Sequence, residues 1–140
     1  MQYFVNKEEL IRFSFGGINS ASFSIFATDV KGLYNSFERD VEFIEVPGRD
    51  GDLLIDNKRK KSKEIEVICY LDMEDIRGTM GELAEAVEDW LQGEVKYKTL
   101  EFSHYHKPLI AICTSSFDAE EVIENLGEFT IKFRVQPPGR

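Results

Sequence analysis

The residues best suited to hold a metal ion are His104 and His106, the only two histidines of the chain. Two positions apart, they would share one face of a strand, and imidazole nitrogen is a good ligand for zinc or copper. No third ligand stands at a telling spacing, and Pro108 marks a turn, so the pair reads as part of a surface turn. Asp50, Asp52 and Asp56 begin a calcium-loop pattern that fails where the chemistry needs it. Leu54 takes the fifth position, Ile55 replaces the turn glycine, and no glutamate closes the loop. Gly48 and Gly51 do not match a phosphate-binding loop. A G-x-S-x-G nucleophile elbow is missing. Among 26 acidic residues some pair of carboxylates is always available for glycoside hydrolysis, yet nothing places two of them across a cleft. The expectation is a non-enzyme with no metal site and no cofactor.

Cys69 and Cys113 lie in apolar, strand-like surroundings. A pair this sparse in a reducing compartment reads as two buried free thiols acting as small hydrophobes. The N-terminus carries Lys7, Glu8 and Glu9 where a signal peptide would have its apolar stretch, so synthesis in a cytoplasm is expected. No run approaches the roughly 18–20 apolar residues that cross a bilayer.

Charge is unevenly spread. The net charge is −9, from 17 basic and 26 acidic residues, which disfavours general binding of nucleic acid or anionic membrane. Against that background Lys58, Arg59, Lys60, Lys61 and Lys63 crowd into six positions. No stacking aromatics adjoin the run, so a nucleic-acid patch is disfavoured. It reads as a hairpin tip, either solvated or docked on an acidic surface of a neighbouring copy.

The elements that must carry these residues are mostly strands. With 140 residues, 42% apolar and 31% charged, the chain has the size and composition of one globular domain, 1–140. Ile65, Val67, Cys69 and Leu71 alternate with Glu64 and Glu66. Phe129, Ile131, Phe133 and Val135 alternate with Thr130, Lys132, Arg134 and Gln136. That period of two marks half-buried antiparallel strands. Further strands are expected at 13–15, 23–26, 41–46, 96–102 and 109–113. Turns are expected at Gly16-Gly17, Pro47-Gly48, Asp50-Gly51 and Asn125-Leu126-Gly127, and Asp50-Gly51 is a strong hairpin signal. One amphipathic helix, about 73–92, is predicted from Met73, Ile76, Met80, Leu83, Ala84, Val87, Trp90 and Leu91. Asp72 is its expected N-cap, Gly93 follows its end, and Gly78 and Gly81 weaken its first turns. Glu82, Glu85, Glu88 and Asp89 line its polar face. The fold class is mainly β (α+β), an antiparallel β-sandwich or barrel with one helix.

The segment from Glu38 to Leu53 contains Arg39-Asp40-Val41, then Val46-Pro47-Gly48-Arg49-Asp50-Gly51-Asp52-Leu53. It resembles the RDVxxxxVPGRDGxL-like segment of the distal tail proteins of long-tailed phages of Gram-positive bacteria. Phe15-Gly16-Gly17-Ile18-Asn19-Ser20 is similar to that family's early F-x-G-x-x-S element, with Gly16 where Asn is frequent. Asp89-Trp90-Leu91 resembles the end of its helix. Gly127 to Phe133, with Gln136-Pro137, resembles the strand that closes its first domain. The likeness runs over essentially the whole chain, and Pro47 to Leu53 is its most specific part.

The resemblance implies a tail-tube-like β-sandwich or barrel that forms a ring, usually hexameric, at the far end of the tail tube. Such a ring joins the tube to tail-tip or baseplate proteins and leaves a channel for DNA. The implied partners are further copies of the chain, the tail tube protein, the tape measure protein and a tail-associated tip or lysin protein. DNA is met only in transit, and no membrane is involved. The implied location is the virion tail tip, after synthesis in the host bacterial cytoplasm. The chain stops near Pro137-Pro138-Gly139-Arg140, about where a galectin-like second domain would begin, so that domain is expected to be absent here, the chain being either a naturally short member or an N-terminal fragment. Expected subunit-interface residues are Arg39, Asp40, Arg49, Asp50 and Asp52 of the motif and Lys58, Arg59, Lys60, Lys61 and Lys63 of the basic run. Glu82, Glu85, Glu88 and Asp89 of the helix complete the set. A carbohydrate-binding adhesion module is the alternative reading, and it requires exposed aromatics such as Tyr97 or Tyr105 on a concave face.

Overall fold

A computed structural model describes residues 10–76 and 78–138. Lys7, Glu8, Glu9, Gly139 and Arg140, used in the sequence argument, lie outside the described residues. The strands are β1 (Phe13–Phe15), β2 (Ile18–Asn19), β3 (Ile25–Lys31), β4 (Arg39–Glu45), β5 (Asp52–Lys60), β6 (Lys63–Leu71), β7 (Lys98–Phe102), β8 (Leu109–Cys113) and β9 (Glu128–Val135). The helices are α1 (Met80–Gln92) and α2 (Ala119–Glu124). All strand pairs are antiparallel.

Seven strands form one sheet in the order β2-β1-β7-β8-β9-β6-β3, while β4 and β5 pair only with each other. The larger sheet closes on itself. Ile11, just before β1, pairs with Ala27 of β3, each N–H donating to the other's carbonyl at 2.8 Å. Six strands thereby ring a common interior, and closure removes most of the open edge that invites unwanted pairing. This is the mainly β architecture expected from the alternation, in its barrel form.

Register explains the core. β6 opposes β9 with Ile65 against Phe133, Val67 against Ile131 and Cys69 against Phe129. Opposed residues share a face, so both apolar sets point inward and are buried, and Thr130, Lys132 and Arg134 stay outside. Each fully buried Phe or Ile contributes about 1.5–3 kcal/mol of burial free energy. α1 adds Leu83, Val87, Trp90 and Leu91 to the same core. Trp90 stacks on Phe23 at 4.8 Å and on Phe13 at 5.8 Å between ring centroids, and its Nε1–H donates to the Phe15 carbonyl at 3.0 Å.

Several expectations are corrected. The helix predicted from 73 is split: a 3₁₀ turn at Met73–Asp75 capped by Asp72, then α1 capped by Thr79, whose Oγ1 accepts from the Glu82 N–H. Gly78, at φ +83°, lies between them in a conformation that helices do not use. The strand expected at 23–26 starts at Ile25, because residues 20–23 form a 3₁₀ turn that presses Phe23 onto Trp90. The strand expected from Lys96 starts at Lys98. A second helix, α2, was not foreseen; Asp118 caps it by accepting from the N–H groups of Glu120 and Glu121. The basic run is not a hairpin tip. It occupies the end of β5 and the step into β6, where the chain passes from the two-stranded ribbon into the barrel.

Candidate assembly surfaces

The β4–β5 ribbon is an arm whose residues are nearly all solvent-exposed. Phe43 faces Leu54 across the ladder, and Ile44 faces Leu53. Phe43 is 66% exposed and Leu54 58%, with Ile44, Val46 and Leu53 also open to solvent. Opposed pairs share a face, so Phe43 and Leu54 lie on one side of the ribbon with Glu45, Asp52 and Asp56. Ile44, Leu53 and Ile55 lie on the other side. A two-stranded ribbon is marginal by itself in water, and this one leaves apolar side chains on both faces without cover from its own barrel.

The motif residues build this arm. At its tip the Arg49 N–H donates to the Val46 carbonyl at 3.1 Å, with Pro47 and Gly48 between them and Gly48 at φ +80°. Pro followed by a left-handed Gly is the residue order of a type II turn. Arg49 and Asp50 are exposed there, and Asp52 opens β5. Asp50 and Asp52 thus sit at the tip while Asp56 lies further down the strand, a spread that does not form a calcium loop.

At the root a bulge sets the arm's direction. Arg39 opposes Lys60 and Val41 opposes Asp56, so Asp40 faces three residues of β5. Lys58 takes a positive φ of 59°, its N–H donating to Asp56 Oδ1 at 2.8 Å. The Asp40 carboxylate accepts from Asn57 Nδ2 and from Arg59 Nε, both at 3.1 Å. Bulges bend and twist a ribbon, so Asp40, Asn57, Lys58 and Arg59 carry a local structural task.

Lys61 and Lys63 are engaged within the chain. The Lys61 N–H donates to the Glu38 carbonyl at 2.7 Å, and its ammonium stands 3.9 Å from the Glu38 carboxylate. Lys63 Nζ donates to the carbonyls of Leu33 (2.9 Å) and Asn35 (2.7 Å) and lies 4.8 Å from the centre of the Phe37 ring. It ties the β3–β4 connection to the barrel. Burial, and then the charge of Lys107, hold its proton affinity below the usual lysine range.

Beside Lys63 lies a groove of about 630 Å³, bounded by the β3–β4 connection, the arm root, the β7–β8 turn and the start of β8. Lys60, Lys63, His106 and Lys107 line it together with Tyr34, Phe37 and Ile110, and none of its lining residues is acidic. A second groove, about 610 Å³, shares Lys60 and adds Arg39, Lys58 and Arg59. Arg39, Lys58, Lys60 and Lys107 make no ion pair with any described residue. Tyr34 and Lys107 were missed by sequence reasoning, because they reach the groove from two separate loops.

His104 and His106 sit in the β7–β8 turn. His104 packs edge-on against Phe102 and Tyr34, and His106 lies 4.7 Å from the Tyr105 ring. Among the described residues no three of His, Cys, Asp and Glu converge in a way that could hold a metal ion. Cys69 and Cys113 are buried free thiols, and burial raises the pKa of both. On α1, Glu82, Glu85, Glu88 and Asp89 all face solvent, and no ion pair links them to the basic root within the chain. Among the described residues no helix is long and apolar enough to cross a membrane.

No protein-family model matches the chain, and no curated protein matches it. Among solved structures it is similar to the SPP1 Dit (gp 19.1) protein, described as a paradigm of the hub adsorption apparatus in phages that infect Gram-positive hosts. The TM-score is 0.70 at 14% identity. What the two share is the fold. The match covers 91% of this chain and 50% of that one, so this chain spans half the length of SPP1 Dit.

Proposed function

We propose that this chain is a structural component of a phage or prophage tail tip, and not an enzyme. In this reading it forms a ring, hexameric in the favoured case, that joins the tail tube to baseplate or tail-tip proteins. Its partners are further copies, the tail tube protein, the tape measure protein and a tail-associated tip or lysin protein. The observation that carries the reading is the β4–β5 arm, which exposes Phe43, Ile44, Leu53 and Leu54 and so calls for cover from another chain. The fold likeness to a hub adsorption protein supports the same reading. DNA is met only in transit, since a net charge of −9 disfavours general binding of a phosphate backbone.

Native mass measurement over a range of concentrations tests this. The expected result is a closed oligomer that the double substitution Phe43→Ser, Leu54→Ser converts to monomer with little change in Tm. A strict monomer at every concentration counts against the ring.

The alternative, a carbohydrate-binding adhesion module of a tail, has one observation in its favour. Tyr34 is 73% exposed and stands edge-on to Tyr105, 5.8 Å between centroids, at the groove. Glycan-array binding that is lost in Tyr34→Ala would favour it over the ring.

A further inference from the structure

The apolar side of the arm carrying Phe43 and Leu54 is flanked by acids: Glu45 and Asp52 towards the tip, Asp56 towards the root. The groove beside Lys63 has the opposite character. Its wall of Tyr34, Phe37 and Ile110 is apolar, and its charged lining is basic throughout. In a chain of net charge −9, this groove and the adjoining one lined by Arg39, Lys58, Arg59 and Lys60 both lack acidic lining. Lys63 is half-buried beside Lys107, and burial first and that neighbouring charge second lower its proton affinity. Among the described residues only neutral groups, the Leu33 and Asn35 carbonyls and the Phe37 ring, stand against its ammonium. An incoming carboxylate would compensate that charge.

The two surfaces cannot meet within one chain. Leu54 and Lys60 lie on the same strand, which at ~3.3 Å per residue sets them at most about 20 Å apart, a span that the bulge opposite Asp40 shortens. Lys60 lines the groove, so an arm cannot fold back to fill the groove at its own root.

Resting on the ring reading, we propose that the groove at the arm root is the receptor for the arm of a second copy. Phe43 and Leu54 of one copy sit against the aromatic wall of the next, and Glu45 and Asp52 face Lys60 and Lys107. The contact joins two different surfaces, so it is heterologous: each copy offers an arm and a groove, and repetition closes into a ring if the rotation allows. Charge sets the register of the arm, while the apolar pair supplies the buried area. The acidic face of α1, Glu82 to Asp89, is the rival docking surface for the basic root, but it has no exposed apolar pair to fill the groove.

Site-directed crosslinking tests the pairing. One preparation carries Leu54→Cys and another Tyr34→Cys; they are mixed and treated with a short bifunctional thiol reagent. The native cysteines are buried and serve as the background control in the unsubstituted chain. A mixed dimer is expected from this pair. Little is expected when Glu85→Cys replaces Tyr34→Cys. The charge arm of the experiment uses Lys60→Glu, Lys107→Glu, which should weaken association by about tenfold or more. Adding Glu45→Lys, Asp52→Lys to the same chain should recover most of that loss.

The outcomes separate the two levels of the argument. A closed oligomer without the Leu54–Tyr34 crosslink, or with association unchanged by the lysine reversals, overturns the groove as receptor and leaves the ring standing. A crosslink through Glu85 instead assigns the contact to α1 and overturns it likewise. The Leu54–Tyr34 crosslink in a chain that never closes an oligomer supports the groove and overturns the ring.

Discussion

Ile11 and Ala27 exchange both of their backbone hydrogen bonds, at 2.8 Å each, and this one pair brings the first strand of the barrel against β3. Everything between them in the sheet is held by longer ladders, such as the continuous register of β6 with β9. Ile11→Pro removes one donor and restricts φ, leaving the Ala27 carbonyl without that partner. The expected loss is about 1–3 kcal/mol in urea denaturation. A loss within the error of the measurement would show that the barrel does not depend on this closure.

Trp90 tests how α1 is fastened. Trp90→Phe keeps most of the stacking on Phe13 and Phe23 but deletes the Nε1–H that satisfies the buried Phe15 carbonyl. The expected cost is about 1–3 kcal/mol. Trp90→Ala, which also opens a cavity, should cost about 3–5 kcal/mol. Equal losses for the two variants would mean that the hydrogen bond carries the whole effect and the packing none.

Two glycines should respond in opposite directions to alanine. Gly127 adopts φ +99°, and an added Cβ would fall 2.6 Å from the Leu71 carbonyl oxygen. Gly127→Ala is expected to destabilise by about 1–3 kcal/mol. Gly81 is inside α1, where a new Cβ meets nothing closer than Thr79 Oγ1 at 3.9 Å. Gly81→Ala should therefore stabilise, by up to about 1 kcal/mol. Thermal denaturation of both variants gives the two signs directly.

The contrast between these elements shows what a sequence can carry. β6 and β9 were legible because each is buried on one face only, so the alternation of Ile65 to Leu71 and Phe129 to Val135 reports burial directly. The 41–46 strand was also legible as a strand, and Pro47-Gly48 as its turn. Its departure from the barrel was not, since Phe43, Ile44, Leu53 and Leu54 look locally like core residues. The basic run was visible as charge, but its place at the arm root depends on β5 pairing with β4 while β6 joins the barrel. Helix α2 is too short for a periodic stripe and buries mainly Val122. The groove escaped notice because Tyr34 and Lys107 are far apart in the chain and meet only after the barrel forms.

Cys69 and Cys113 are both buried, and burial raises the pKa of each. The thiolate is the reactive form, so both should be nearly inert to a colorimetric thiol reagent in the native protein. Two equivalents should appear on unfolding in guanidinium. Rapid labelling of either thiol under native conditions would show that β6 or β8 opens locally.

Lys63 offers a pH signature with a definite sign. Its folded-state pKa lies below the ordinary 10.5, first because of burial and then because of Lys107. Between the lowered value and 10.5 the unfolded chain therefore binds more protons at this residue than the folded one. Stability from this group must then rise with pH across that window, be fully gained above 10.5, and be lost as pH falls through the folded value. Lys63→Met removes the titration while keeping much of the aliphatic stem. The stability of the natural chain relative to Lys63→Met should increase as pH is raised from 7 towards ~10.5. The carbonyl contacts to Leu33 and Asn35 persist in the neutral amine, which can still donate, so they do not reverse the trend. Urea midpoints collected in parallel for the two proteins measure the difference. A difference that stays flat or shrinks as the pH rises would mean that the Lys63 ammonium is not strained by its surroundings.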